Sequence, residues 1–296
     1  MKTDQQPIRI FVGCDPNNSD LEQMMVLDYS IHKHTQQPVH ITWMQLSHDP
    51  SSAWYADPAT GKGWHTQEWA TPFSGFRWAI PEYCGFTGRA IYMDADMLVL
   101  SDINELWQHP ITGSAVVAAK GHGDLTRLCT CVWDCAKARA VLPPLTELQA
   151  DPDSHQQMMR LFREHPEWIE VYQDTFNCVD GEDLPIEAIK ILHYSDMGTQ
   201  FSHRYSLPRL QQEGQRHWFD GQILPHPRQD LAALFDQYYH EALAAGYTVE
   251  DYRVPPFGVF SKKSQKSYKG NAITRPEGKQ TPSWLKRQLN KIFRHG

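Results

Sequence analysis

The stretch Arg89-Ala90-Ile91-Tyr92-Met93-Asp94-Ala95-Asp96-Met97-Leu98-Val99-Leu100-Ser101-Asp102 decides the fold class. Ala90–Met93 is an unbroken apolar run, the pattern of a strand covered on both faces, as in parallel sheets. Two acids at i, i+2 follow it, and Met97–Leu100 reads as the continuation of the same strand. In an open α/β sheet, ligands collect outside the carboxyl ends of strands, where Asp94 and Asp96 stand. The two carboxylates can point the same way if Ala95 bends the chain. Hard divalent cations such as Mg2+ and Mn2+ take such oxygens and share their shell with substrate phosphates. Strand ends also attract Asp as a turn former, so the pair alone leaves both readings open.

Outward from this stretch, strands and helices alternate. Ile8–Gly13 and Val39–Leu46 read as strands. Ser19 or Asp20 is placed to cap a helix carrying Leu21, Met24, Met25 and Ile31, and Asp102 a short one over Ile103–Trp107. Residues 47–70 read as a long irregular loop, and Phe73–Tyr83 as helical. Ser114–Ala119, Cys129–Trp133 and Ile189–His193 are strand-like; Cys135–Val141, Ser154–Glu164 and Asp230–Ala245 are helical. The alternation predicts an open, mostly parallel, doubly wound sheet flanked by helices on both faces.

Apolar residues make up 41% of the 296, enough for a sizeable core, which sets aside disorder and a disulfide-stapled miniprotein. No stretch approaches the roughly 20 apolar residues of a membrane span. The N-terminal apolar run is too short for a signal peptide, so a soluble, cytoplasmic chain with Cys14, Cys84, Cys129, Cys131, Cys135 and Cys178 as reduced thiols is expected. Cys129, Cys131 and Cys135 lack the second pair that a structural zinc site wants, and read as small buried hydrophobes.

Charge divides the chain. The net charge is −7, yet residues 261–296 carry ten basic side chains against Glu277, a tail of +9 on a body of −16. In that tail Trp284, Leu285, Leu289, Ile292 and Phe293 share one helical face, with Lys and Arg largely on the other. Two readings stand: a helix lying on an anionic membrane surface, or one docked on the body. A nucleic-acid partner is not expected, because the acidic body would repel it.

The opening stretch, together with Phe76-Arg77-Trp78-Ala79-Ile80-Pro81-Glu82-Tyr83 before it and Ile103-Asn104-Glu105-Leu106-Trp107 after it, resembles glycosyltransferase family 8. These are retaining, nucleotide-sugar-dependent enzymes that include glycogenin-like and lipopolysaccharide galactosyl- and glucosyltransferases. Phe11-Val12-Gly13-Cys14-Asp15-Pro16-Asn17 is similar to the family's first strand and nucleoside loop. Thr175-Phe176-Asn177 is similar to its Phe-Asn, and Ile191-Leu192-His193-Tyr194-Ser195-Asp196-Met197-Gly198 to its late His motif. The similarity spans about residues 8–205. It departs after Gly198, where Thr199-Gln200-Phe201-Ser202-His203 replaces the usual Lys-Pro-Trp, and the family's Asp-Gln-Asp segment has only Asp153-Ser154-His155-Gln156-Gln157 in about its place.

The resemblance implies a GT-A type domain over 1–260 with the basic tail 261–296 as a membrane-surface anchor, which would hold the protein at the inner face of the membrane. It implies transfer of a hexose from a UDP-sugar to a hydroxyl of a glycan or lipid-linked, lipopolysaccharide-type acceptor, with retention. Mn2+ or Mg2+ would be held by Asp94, Asp96 and His193. The donor would meet Gly13, Asp15, Asn17, Arg77, Asp94, Ala95 and Gly198, and Asp153, Gln156 and Asp180 are candidates for contacts near the anomeric carbon. Each residue also has a plainer reading. Arg77 can be a structural ion pair, Asp15 and Asn17 ordinary Asx turns, Gly13 a strand end, and His193 a histidine satisfied by a carbonyl. Trp54, Trp64 and Trp69 can stack on sugars or simply pack a long loop. Two other functions compete: a catalytically inactive GT-A-shaped nucleotide-binding module, and a haloacid-dehalogenase-like phosphatase, whose Asp-x-Asp normally follows the first strand.

Overall fold

The structure is a computed structural model, and it describes residues 6–258 except 68, 123, 124, 174, 218 and 220. The tail 261–296 lies outside the described residues. In chain order the strands are β1 (Ile8–Gly13), β2 (Val39–Met44), β3 (Ala56–Asp57), β4 (Lys62–Gly63), β5 (Arg89–Asp94), β6 (Met97–Val99), β7 (Val117–His122), β8 (Leu125–Asp134), β9 (Ile169–Tyr172), β10 (Cys178–Val179) and β11 (Ile191–His193). The helices are α1 (Leu21–His34), α2 (Ile80–Tyr83), α3 (Asn104–Trp107), α4 (Cys135–Ala138), α5 (Leu145–Ala150), α6 (Ser154–Glu164), α7 (His203–Gln212) and α8 (Gln229–Ala244).

The central sheet runs β2-β1-β5-β8-β7-β9. Its pairings are parallel for β1–β2, β1–β5 and β7–β9, and antiparallel around β8, so the sheet is mostly parallel. Strand alternation divides its side chains between two cores. Ile10, Val12, Ile91, Met93 and Val132 face α1, burying Leu21, Met24, Met25, Leu27 and Ile31. Phe11, Tyr92, Cys131 and Trp133 face the other way, onto Phe76, Trp78 and Phe162. Because β1 and β5 are covered on both sides, both read as continuous apolar runs.

Four local expectations are corrected. Met97–Leu100 does not extend β5. The chain turns after Asp94, and Met97–Val99 joins a second sheet of order β10-β11-β6. Phe73–Tyr83 is not one helix but a 3-10 segment, Ser74–Trp78, followed by α2. Pro81 sits in the first turn of α2, where its missing N–H costs nothing. The 47–70 loop contains the β3–β4 hairpin, and its Trp54, Trp64 and Trp69 are buried around Phe76. They pack the core. Asp20 precedes α1 but makes no side-chain cap; its Oδ2 accepts from the Asp15 amide instead.

Candidate functional site

Sheet register builds the site. Gly13 pairs with Asp94 across β1 and β5, so the two strands end together. After the turn, β6 runs antiparallel to β11, placing His193 opposite Met97. The amide of Tyr194 donates to the Asp96 carbonyl at 2.9 Å. A residue from the end of β11 is thereby brought beside two that are about a hundred positions earlier. Ligand atoms of Asp94, Asp96 and His193 all lie within 4.8 Å of one another.

Each member is held from behind. His193 Nδ1 lies 3.2 Å from Asn177 Oδ1, and Nε2 lies 3.2 Å from Asp96 Oδ1. Asn177 is fully buried and adopts φ 69°, a left-handed conformation that Asn tolerates better than most side chains. Asp94 Oδ1 accepts a short hydrogen bond from the Tyr92 hydroxyl, and the Arg77 guanidinium stands 3.7 Å away. Burial pushes the Asp94 carboxyl up, with Arg77 opposing and Asp96 adding to the rise. For His193, burial pulls the imidazole down, but Asp96, with Asp94 behind it, outweighs this and leaves it above its ordinary value.

Of these side chains, Asp94, Asp96 and Arg77 border a cavity of about 90 Å³ that is also lined by Asp20, Gln23, Thr71, Phe73, Ser74, Ala95, Met197 and Gln200. Its electrostatics are one-sided. Asp20 is held well above the ordinary carboxylate range by burial and by Asp15, whose own carboxyl burial pushes up to about 6. Asp96 Oδ1 is buried and has no hydrogen-bond partner, even with His193 Nε2 close by. Against these acids the lining offers one permanent cation, Arg77. A buried carboxylate oxygen whose near neighbour is an imidazole nitrogen at 3.2 Å, next to a second carboxylate, is an oxygen and nitrogen donor set suited to a hard or borderline divalent cation.

The structure sorts the other expected residues by what they touch. Ala95 lines the cavity. Arg77 also lines it, but its hydrogen bonds go to Ser74 O (2.8 Å), Leu128 O (2.5 Å) and the Tyr92 hydroxyl (3.2 Å). It therefore orients Tyr92 and Asp94. The Asp15 carboxylate is sealed at 0% exposure and accepts from the amides of Asn17 and Ser19, and the Asn17 side chain brackets the Gly258 backbone. Asp15 makes the plainer Asx-type contacts, whereas Asn17 ties its loop to the distant Gly258. A Cβ on Gly13 would come within 2.6 Å of Phe73 and 2.9 Å of the Tyr92 hydroxyl, so internal packing already requires glycine there. Gly198 has its N–H on Asp196 and its carbonyl on the Leu224 amide.

Asp153 and Gln156 are not on the cavity. They are exposed and line a separate groove of about 1000 Å³ with Ala140–Pro143, which is broader but holds no such cluster of acids and histidine. Asp180 is buried behind His193; it pairs with His226 at 3.0 Å and accepts from Ser195. Sequence reasoning missed Gln23 and Gln200 and took Asp20 for a helix cap. The available signal was a run of polar residues, Glu22 and Gln23, inside the apolar face of α1.

The family model of glycosyl transferase family 8 matches residues 26–175, half of the chain, including Asp94 and Asp96 and ending before His193. Protein CDI of Arabidopsis thaliana is 34% identical over 106 residues, 35% of this chain. The chain spans 37% of that curated relative's length. Among solved structures, the galactosyltransferase LgtC in complex with donor and acceptor sugar analogues superposes with a TM-score of 0.51 at 11% identity, covering 84% of this chain and 98% of that one. An active-site mutant of LgtC gives the same TM-score at 12% identity over 84% of this chain and 98% of that one, and both likenesses are of fold. The chain belongs to glycosyl transferase family 8 and has a GT-A fold.

Proposed function

We propose that this glycosyltransferase is metal-dependent and retaining, moving a hexose from a UDP-sugar to a hydroxyl of a glycan or lipid-linked acceptor. One observation carries the reading. Asp94, Asp96 and His193 converge beside a cavity whose single permanent cation, among the described residues, is already bonded to the protein. A leaving nucleoside diphosphate needs its growing negative charge neutralised, and Arg77 is committed to Tyr92 and Asp94. A divalent ion held by the triad would supply that Lewis-acid stabilisation. The chain's own groups then have defined tasks: Tyr92 and Arg77 fix Asp94, Asn177 fixes the imidazole of His193, and buried Asp180 supports the strand end behind it.

The test is turnover. UDP release from a panel of UDP-sugars should require Mn2+ or Mg2+, stop with EDTA, and give a product with the donor's anomeric configuration by NMR. Metal-independent turnover or an inverted product would refute the reading. Absence of hydrolysis and transfer with every donor, together with intact UDP binding, would favour the inactive binding module. The tail 261–296 is part of the same proposal, as an anchor on an anionic membrane at its cytoplasmic face. The full chain should co-sediment with phosphatidylserine vesicles and a chain ending at 260 should not; equal sedimentation would remove the anchor.

A further inference from the structure

The loop that departs from the family pattern after Gly198 supplies a side chain to the metal triad's surroundings. Gln200 is 3% exposed, and its Nε2 donates to Asp96 Oδ2 at 2.8 Å and to the Tyr194 carbonyl at 3.0 Å. Its Oε1 accepts from Gln23 Nε2 at 2.5 Å, and that same nitrogen donates to Ser202 Oγ at 2.9 Å. Gln23 belongs to α1 and is 6% exposed. Two buried amides thus form a relay from the first helix to Asp96.

The relay has a direction. Gln200 Nε2 faces two oxygens that cannot donate, Asp96 Oδ2 and the Tyr194 carbonyl, so the amide cannot flip without setting oxygen against oxygen, and Gln23 donates to the Oε1 on its other side. Its NH2 group is thereby committed to Asp96 and to the backbone next to His193. One oxygen of Asp96 is taken, and the other, Oδ1, is left facing His193 with no hydrogen bond. A neutral donor fixes the carboxylate plane without cancelling its charge.

We propose that Gln200 is a positioning residue for Asp96, orienting Oδ1 toward a divalent cation, and that Gln23 acts through Gln200 to hold it. This rests on the metal-site reading given above. Partners that orient metal ligands are worth about 10–100-fold in metal affinity when removed. Gln200→Met keeps the side chain's length and loses its donors; Gln23→Met keeps Gln200 and removes the donor to its Oε1.

The experiment is Mn2+ binding by the full-length protein in the presence of UDP, read as free Mn2+ by electron paramagnetic resonance, with thermal unfolding in EDTA as the companion. Wild type, Gln200→Met, Gln23→Met and Asp96→Ala are compared. The expected result is Mn2+ affinity weakened about 10–100-fold in Gln200→Met and less, in the same direction, in Gln23→Met. Activity at saturating Mn2+ should recover more fully than activity at low Mn2+. A lowered Tm with wild-type Mn2+ affinity in both variants overturns the proposal and leaves the metal reading standing. If Gln200→Met fails to fold, wild-type affinity in Gln23→Met overturns the relay by itself. Wild type that binds no more Mn2+ than Asp96→Ala removes the metal centre, and the proposal falls with it.

Discussion

Arg77→Met is the perturbation with the clearest magnitude. The guanidinium is 8% exposed, lies 4.4 Å over the Tyr92 ring, and stands 3.7 Å from Asp94. Its nitrogens satisfy two carbonyls, of Ser74 and Leu128, and the Tyr92 hydroxyl. Met fills most of the volume and supplies none of these bonds. In the metal-free protein Asp94 then keeps its burial and its neighbour Asp96 while losing the opposing charge. Removing one partner of a buried pair costs about 3–5 kcal/mol, most of it from the charge left behind. At about 2 °C per kcal/mol for a chain of this size, Tm should fall by about 6–10 °C in EDTA. Two controls separate this charge effect from lost packing. Adding Asp94→Asn to the variant should recover a large part of the loss, because the stranded charge is gone. Mn2+ with UDP should stabilise Arg77→Met more than wild type, because a bound cation takes over the neutralisation of Asp94. The assay is urea and thermal unfolding of the three proteins, wild type, Arg77→Met and Arg77→Met with Asp94→Asn, with and without the metal. A loss under about 1 kcal/mol, or identical metal increments in wild type and variant, would refute the account of a cavity short of positive charge.

Three further outcomes are expected. Gly13→Ala should cost about 1–3 kcal/mol in urea unfolding through overpacking, since its Cβ would lie 2.6 Å from Phe73, and Phe73→Leu should relieve part of that cost. Mn2+ binding must displace the proton of His193, whose affinity for it is raised by the two acids, so apparent Mn2+ affinity should fall as pH drops through and below neutrality; a titration flat from pH 8 to 6 would exclude His193 as a ligand. Asp15 titrates at about 6 in the fold against 3.8 without it. The folded chain therefore binds more protons between these values, and stability from this group falls as pH rises from about 4 to 6. Asp15→Asn should flatten that slope in thermal unfolding, because Asn still accepts the two amide bonds.

What the sequence reveals depends on how local the determinant is. The strands β1 and β5 were legible because burial on both faces leaves an unbroken apolar run, and the Asp94-Ala95-Asp96 pair because it closes one of them. His193 was legible through the motif around it, although only the β6–β11 register brings it to Asp96. Gln200 and Gln23 were not, since their hydrogen bond joins positions 177 apart and nothing in either neighbourhood announces the other. Met97–Val99 was misread as strand continuation because its composition is right for a strand; the turn at Asp94 sends it to another sheet. The tryptophans of the 54–69 loop carry no periodicity to separate core from ligand surface, and burial alone decides for core. Arg77 and Asn17 sit where expected in the chain, yet their side chains bond within the protein, and the Asp15 carboxylate is sealed, with Oδ2 on two amides. Asp153 and Gln156 were chosen by an ambiguous register, and α6 carries them to another groove.

The central claim is that Asp94, Asp96 and His193 form a divalent-metal centre for a nucleoside diphosphate. Isothermal calorimetry of UDP, with Mn2+ and with EDTA, on wild type and on Asp96→Ala tests it most directly. The account predicts binding that requires Mn2+ and disappears in Asp96→Ala; UDP binding of equal strength in EDTA, or retained in Asp96→Ala, would contradict it.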